Sequence, residues 1–189
     1  MTLPLHDLAR VTSYAEADEI LCSRRFAQES KHESAPLIGD TVLVLDGPPH
    51  LQRRRLLAPL VARGALADYH AVISRTLDRC IDAMVEPAGD EWAADLVALG
   101  RSVFLQFAAA VIGFDDVTDP DATAELLRHL GPILEAVTVE WSTRDHATVL
   151  AEGEAARDAV IARFYTPAAR RRAELVERGE APTDLLSLL

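Results

Sequence analysis

The chain has 189 residues, of which 49% are hydrophobic and 26% charged, a composition that fits one soluble globular domain and excludes a disordered chain. Nineteen basic and 30 acidic residues give a net charge of −11, which excludes a nucleic-acid backbone as a partner.

The sequence lacks the features of a membrane span, of a signal peptide and of a disulfide framework. It contains no apolar run near the ~20 residues of a membrane span, and no basic region followed by an apolar signal core opens it. Cys22 and Cys80 are too few for a disulfide framework and lack metal-ligand spacing. Cys80 falls on an apolar helix stripe, where we expect a buried thiol. We therefore expect a cytoplasmic protein without a membrane partner.

Capping and turn signals predict the first elements. Ser13 and Glu16 have the spacing of a capping box at the start of a short helix. The β-branched, apolar run 41–45 predicts a brief extended segment that enters a tight turn. Pro48–Pro49 suits a first helical turn, so a helix is predicted over about 49–62.

Apolar periodicity predicts the two strongest helices. Apolar residues at steps of three and four indicate an amphipathic helix over about 66–85, which Pro87 ends. A second helix is predicted from Trp92 to Ile112 and closed by Gly113. Its inward side chains are expected to be Leu96, Leu99, Val103, Phe104, Phe107 and Val111.

The remaining chain also has a helical pattern. Asp119–Pro120 predicts a helix start, and Pro132 is expected to interrupt or kink that helix. An alanine-rich helix is predicted over 146–163. Thr166–Pro167 resembles a fresh cap and first turn, starting a helix that ends near Gly179. These elements together predict a mainly α fold.

The stretch from Asp46 to Leu56 carries the most chemical information. On a helix that starts near Pro49, His50 and Arg54 are four residues apart and share one face. An imidazole and a guanidinium beside apolar groups could hold one or two carboxylates at the edge of a flat apolar ligand. The alternative is that Arg53–Arg55 forms a solvated basic face and that His50 only caps the turn.

Other polar groups give weaker signals. His129 and His146 are too isolated for a metal site, so exposed or internally satisfied histidines are expected. The acidic run 115–121 lacks the glycine and terminal glutamate of a calcium loop, which favours a solvated loop and helix start. Arg170–Arg172 is expected to be a solvated helix face.

Several segments, in the right order, resemble one protein family. The run 45–56 resembles the C helix of bacterial cytochrome P450 enzymes, the haem-thiolate monooxygenases, with an Asp, a Pro, a His and arginines four and five positions on. Residues 11–26 resemble the family's strand and B helix, 112–114 the end of its E helix, and 182–189 the run before its I helix. The resemblance implies that residues 1–189 are the N-terminal portion of such a domain, mainly α, covering helices B to H with one short extended segment.

The resemblance also implies a cofactor site and a substrate pocket. His50 and Arg54 would bind the haem propionates, and Arg55, about 100° away on the helix, would make a structural contact. The helices over 120–178 would form the substrate lid. The candidate substrate-lining residues are Val42, Leu43, Val44 and Leu45. The complete enzyme would insert one oxygen atom from O₂ into a small organic substrate, with electrons from a ferredoxin or a flavoprotein reductase.

The sequence departs from the family pattern in its catalytic parts. No Phe-x-x-Gly precedes Cys22 or Cys80, so neither is assigned as the iron ligand, and no catalytic residue of the family is found. The apolar run 185–189 stops in mid-pattern, which favours an incomplete chain. Two further hypotheses are a non-catalytic helical binding module and one half of a split enzyme whose partner chain supplies the C-terminal half.

Overall fold

The computed structural model describes residues 10–23, 25–26, 31–88, 90–180 and 184–188. These residues form a mainly helical fold, as the sequence predicts. The α-helices are α1 (Tyr14–Cys22), α2 (Ala35–Ile38), α3 (Gly47–Leu57), α4 (Ala65–Met84), α5 (Leu96–Ile112), α6 (Pro120–Val137), α7 (His146–Val160) and α8 (Thr166–Glu177). Two short strands, β1 (Glu86–Ala88) and β2 (Glu91–Ala93), pair antiparallel. Short 3₁₀ helices cover Ala58–Val61, Val139–Trp141 and Leu185–Leu188.

Helix caps form where the sequence predicts them. The Ser13 hydroxyl accepts a hydrogen bond from the Glu16 amide at 3.2 Å, which supplies one half of the predicted capping box. The Asp119 carboxylate caps α6 by accepting from the Ala122 amide. Gly113 ends α5 with φ +106°, a left-handed conformation that favours glycine.

The predicted helix start at Trp92 is wrong. Trp92 lies in β2, where it pairs with Pro87 of β1, and its side chain is exposed. Helix α5 begins four residues later, because the Asp95 carboxylate accepts hydrogen bonds from the amides of Val97 and Ala98. The local cap therefore overrides the apolar pattern that extends N-terminal to it.

The buried face of α5 differs from the predicted one. Leu96 is 78% exposed and Phe104 is 67% exposed, although both were expected to point inward. Only Val103 of the predicted set is fully buried. The other buried residues of α5 are Ser102, Gln106 and Ala109. Because α5 is apolar on nearly all sides, hydrophobicity alone does not specify which face packs.

Helices α6 and α7 pack closely and carry one part of the core. Gly153 permits this approach, since a Cβ atom there would lie 2.3 Å from the Ala136 Cβ. Leu37 of α2 is buried against the same pair. Helix α6 continues through Pro132, so of the two predicted effects the interruption is wrong and the kink stays a prediction. The second part of the core joins α5, α6 and the segment Ile161–Tyr165 after α7, through Ala109, Val117, Leu126 and Phe164.

Helix α8 starts at Thr166 and ends at Glu177, close to the predicted bounds, but the predicted fresh cap at Thr166 is absent. A π-helical turn, Ile161–Tyr165, connects α7 to α8 without a break, and the Thr166 amide donates to the Ile161 carbonyl five residues back. A proline ring clashes with the carbonyl four residues back in a regular α-helix. The π turn precedes Pro167 at that point and allows the helix to continue.

In the described part of the chain, no single helix has both the length and the apolar character that a membrane crossing requires. The segments Gly47–Val61 and Ala65–Met84 reach that length and composition only when combined, and they are bent by 61° at their break.

Candidate functional site

Helix α3 places the two candidate anion-binding side chains one turn apart. The helix starts at Gly47, whose φ of +61° lets the chain turn sharply, and two prolines follow in its first turn. His50 is half-buried and Arg54 is exposed. Their spacing of four residues puts both on the same face of α3.

The polar groups of His50 and Arg54 are both unpaired in the described part of the chain. Among the described residues, no hydrogen bond or ion pair involves the His50 imidazole or the Arg54 guanidinium. Arg55 is likewise exposed, and no hydrogen bond or ion pair joins its guanidinium to another described residue. The α3 surface therefore offers donors that are not satisfied by the described part of the fold.

The segment before α3 is a turn, which corrects the predicted extended segment at 41–45. The amides of Val44 and Leu45 both donate to the Thr41 carbonyl, at 3.1 and 3.2 Å. The adjoining Gly39 has φ +51° and ends α2, so the chain reverses before it can extend. Of the candidate substrate-lining residues, Leu43 is exposed and Val42, Val44 and Leu45 are half-buried.

A cavity of about 440 Å³ lies between this turn and α3. Leu45 lines it from the turn, together with Asp40. The lining residues from α3 are Pro49, Gln52, Arg53 and Leu56. These residues lie on the face of α3 next to the one that carries His50 and Arg54. The cavity therefore places Arg53, and not Arg54, beside Leu45, a candidate substrate-lining residue.

The two cysteines lie in contrasting environments. Cys80 is 1% exposed inside α4, and burial raises the pKa of its thiol above the ordinary value, although nearby Arg79 opposes the shift. Cys22 is exposed at the end of α1, and its Sγ lies 3.9 Å from Asp18 Oδ1. The prediction of a buried thiol at Cys80 is confirmed.

Arg172 is a buried charged group that the sequence analysis missed. Its side chain is 10% exposed and its guanidinium hydrogen-bonds to both Asp115 and Asp184. The Nη2–Oδ1 distance to Asp115 is 2.7 Å and the Nε–Oδ2 distance to Asp184 is 2.8 Å. The predicted solvated face at Arg170–Arg172 is therefore wrong for Arg172, because two carboxylates from outside α8 cover it.

These ion pairs change the acidities of their members. The hydrogen bond from Arg172 is the largest cause that lowers the pKa of Asp115, and the hydrogen bond from Arg171 adds to it. The hydrogen bond to Asp115 in turn raises the pKa of Arg172. The predicted solvated loop at Asp115 and Asp116 is thus partly paired, since Arg171 contacts both carboxylates. The only sequence signal for this cluster is opposite charge at long separation.

The histidines form no metal site in the described part of the chain, where no group of three or more potential metal ligands is present. His146 instead contacts Glu33, which fits the expectation of an internally satisfied histidine. His129 lies half-buried on α6.

Comparison with known proteins gives one informative similarity. The chain is 27% identical over 153 residues to a protein of Mycobacterium tuberculosis (strain CDC 1551 / Oshkosh) that bears the name "Putative cytochrome P450 141". The similarity covers 72% of this chain and 36% of the relative, so the chain spans about a third of the relative's length. No family model matches the chain, and no solved structure matches it. The similarity suggests the cytochrome P450 family.

Proposed function

We propose that this chain is the propionate-binding portion of a cytochrome P450 monooxygenase, and that polypeptide outside this sequence supplies the iron-ligating cysteine. The observation that carries the proposal is the position of His50 and Arg54 on one face of α3, unpaired with any described residue. The run 45–56 has the residue order of the family's C helix, and the similarity to the mycobacterial protein supports the same family.

The chemistry of these two side chains suits the rim of a haem. Haem has two carboxylates on one edge of an apolar macrocycle, and each needs a hydrogen-bond donor when water is removed. Arg54 is always charged and can donate two parallel hydrogen bonds to one carboxylate. His50 can donate a ring N–H to the other. The residues present therefore fit the propionates.

The described cysteines do not fit the iron. Cys80 is enclosed within α4 with a raised pKa, which disfavours the thiolate that binds iron. Cys22 lies exposed at the end of α1, where its side chain faces solvent rather than a buried cofactor site. The iron ligand would therefore come from a part of the enzyme that this sequence does not contain.

The remaining roles concern substrate and electron supply. Haem held by a cysteine thiolate activates O₂ and inserts one oxygen atom into an organic substrate. In this proposal His50 and Arg54 orient the group, residues 42–45 contact a small organic substrate, and α6 to α8 cover it as a lid. The complete enzyme would work in the cytoplasm with a ferredoxin or a flavoprotein reductase as electron donor.

A second candidate is a helical binding module or one half of a split enzyme. The observation that favours it is the uncovered apolar face of α5, where Leu96, Val97 and Phe104 are all exposed. Apolar surface of this kind marks an interaction site in a soluble protein. The occupant we propose is an apolar helical segment of the polypeptide that carries the iron ligand.

The test uses the full chain with haem and with haem dimethyl ester, in which both propionates are esterified. Absorbance titration should show weaker binding of the ester, because the ester removes the charges that Arg54 and His50 recognise. Arg54→Ala should lower the ratio of the two affinities, haem over ester, about tenfold or more. The reason is that one charge-assisted hydrogen bond contributes ~1.5–3 kcal/mol.

Arg55→Ala is the matched control, since Arg55 lies on the same helix and is also exposed. It should keep the preference for haem over the ester. Equal binding of haem and ester by the unmodified chain would contradict the proposed clamp. A thiolate-type band in the reduced carbon-monoxide difference spectrum would contradict the absence of an iron ligand. Its appearance only after a C-terminal polypeptide is added would favour the split enzyme.

A further inference from the structure

The segment that precedes the candidate substrate-lining turn is docked on α6 and α7. Leu37 is buried there in a cluster with Ala136, Val139 and Val149. Lys31 Nζ donates a hydrogen bond to the Val137 carbonyl at 2.7 Å. The buried Ser34 hydroxyl donates to the same carbonyl at 3.3 Å. This carbonyl ends α6 and has no intrahelical partner of its own, so residues 31–38 satisfy the helix end.

Helix α7 adds a polar contact at each end of this segment. Arg157 Nη1 donates to the Leu37 carbonyl at 3.1 Å. At the start of α7, His146 Nδ1 and Glu33 Oε2 are 2.6 Å apart, a distance typical of a charge-assisted hydrogen bond. The two side chains are 38% and 36% exposed, so water weakens the pair without removing it.

The surroundings of His146 favour its charged form. The hydrogen bond with Glu33 is the largest cause that raises the pKa of His146, and the Ser142 carbonyl and Asp145 add to it. Two other charged side chains at this end of α7 have partners of their own: Arg144 bridges Glu135 and Glu152, and Asp145 accepts a hydrogen bond from the Thr148 amide.

We propose that Glu33 and His146 form a pH-sensitive clasp that holds residues 31–38 on the α6–α7 pair. Protonation of the His146 ring converts a hydrogen bond between a neutral imidazole and a carboxylate into an ion pair. Because the pKa of His146 is raised above 6.5, the added stability is fully present below that value and is lost as the pH rises through the raised pKa. Residues 39–45 follow directly, so opening of the clasp loosens the connection to α3. The inference rests on these contacts and does not depend on haem binding.

Amide hydrogen exchange measured by NMR on the full chain tests the clasp. The reporters are the amides of Leu37, Ile38 and Gly39, which bond to carbonyls of residues 34 and 35. After correction for the intrinsic pH dependence of exchange, their local opening should increase about twofold to fivefold between about pH 5.5 and pH 8.5. Glu33→Gln and His146→Gln should each make the opening independent of pH.

His32→Gln is the matched control, because His32 is an exposed histidine next to Glu33 on the same segment. It should leave the pH dependence unchanged. A direct titration of the His146 ring by NMR gives a second measurement, and its pKa should fall in Glu33→Gln. Opening that is equal at both pH values in the unmodified chain, or a His146 pKa that Glu33→Gln does not change, would overturn the proposal. Neither of these measurements depends on His146→Gln being well folded.

Discussion

At the scale of single residues, Arg172 is a buried charged side chain that links three separate parts of the described structure. It joins α8 to the turn after α5 through Asp115 and to the C-terminal 3₁₀ helix through Asp184. Gly113 belongs to the same arrangement, because a Cβ atom there would lie 2.9 Å from the Asp184 carboxyl carbon. A buried charge is tolerated only while its partners remain in place.

Arg172→Ala should therefore destabilise the fold. It leaves Asp184, whose side chain is 11% exposed, without its guanidinium partner. Removing one member of a buried ion pair typically costs 3–5 kcal/mol, and the greater exposure of Asp115 places the expected loss near ~3 kcal/mol. Urea unfolding measures this loss. Arg170→Ala, on an exposed position of α8, should change the free energy of unfolding by less than ~0.5 kcal/mol. Similar losses in both variants would show that Arg172 has no special role.

At the scale of elements, the α6–α7 contact depends on two small residues. Gly153→Ala adds a methyl group that would lie 2.3 Å from the Ala136 Cβ, so the helices must separate. The clash should exceed the ~1 kcal/mol that alanine gains over glycine in helix propensity, with a net destabilisation of about 1–3 kcal/mol.

Ala136→Gly should recover part of that loss in the double variant, because it removes the atom that the new methyl group meets. A double-mutant cycle of unfolding free energies measures this coupling. Strictly additive losses in the two single variants would mean that the helices do not touch at this point.

At the scale of the whole molecule, the exposed apolar face of α5 should control self-association. Phe104→Glu should reduce self-association in sedimentation velocity at increasing concentration and leave the free energy of unfolding within ~0.5 kcal/mol. Val103→Glu, at the neighbouring buried position, should unfold the chain instead. If Phe104→Glu destabilised the chain as strongly, the α5 face would have to be covered in solution.

Helices with strong local signals could be predicted from the sequence. Features that depend on contacts between residues far apart in the chain could not. The strong amphipathic pattern over 66–85 corresponds to α4, and the left-handed Gly113 ends α5 as expected. The run 41–45 has β propensity, but β1 and β2 pair only with each other in the described structure, so local hydrogen bonds close the run into a turn. The position of His50 and Arg54 on one face of α3 could be predicted from their spacing alone.

Contacts between residues that are far apart in the sequence left no pattern from which they could be predicted. Arg172 is indistinguishable in sequence from its two arginine neighbours, and Glu33 lies 113 residues before His146. The orientation of α5 could not be predicted either, since a helix apolar on most sides packs on the face that its neighbours leave open. The fold class was therefore accessible from the sequence, whereas the pairs that fix its arrangement were not.

The π turn between α7 and α8 determines which arginine becomes buried. The inward stripe of α7 includes Val149, Gly153 and Ala156. At about 100° per residue, an uninterrupted α-helix would continue this stripe through Pro167 and Arg171. The π turn contains one extra residue, so every later side chain is rotated back by about a quarter of a revolution around the helix axis. Ala168 and Arg172 therefore take the inward positions. A single inserted position thus selects the guanidinium that reaches Asp184.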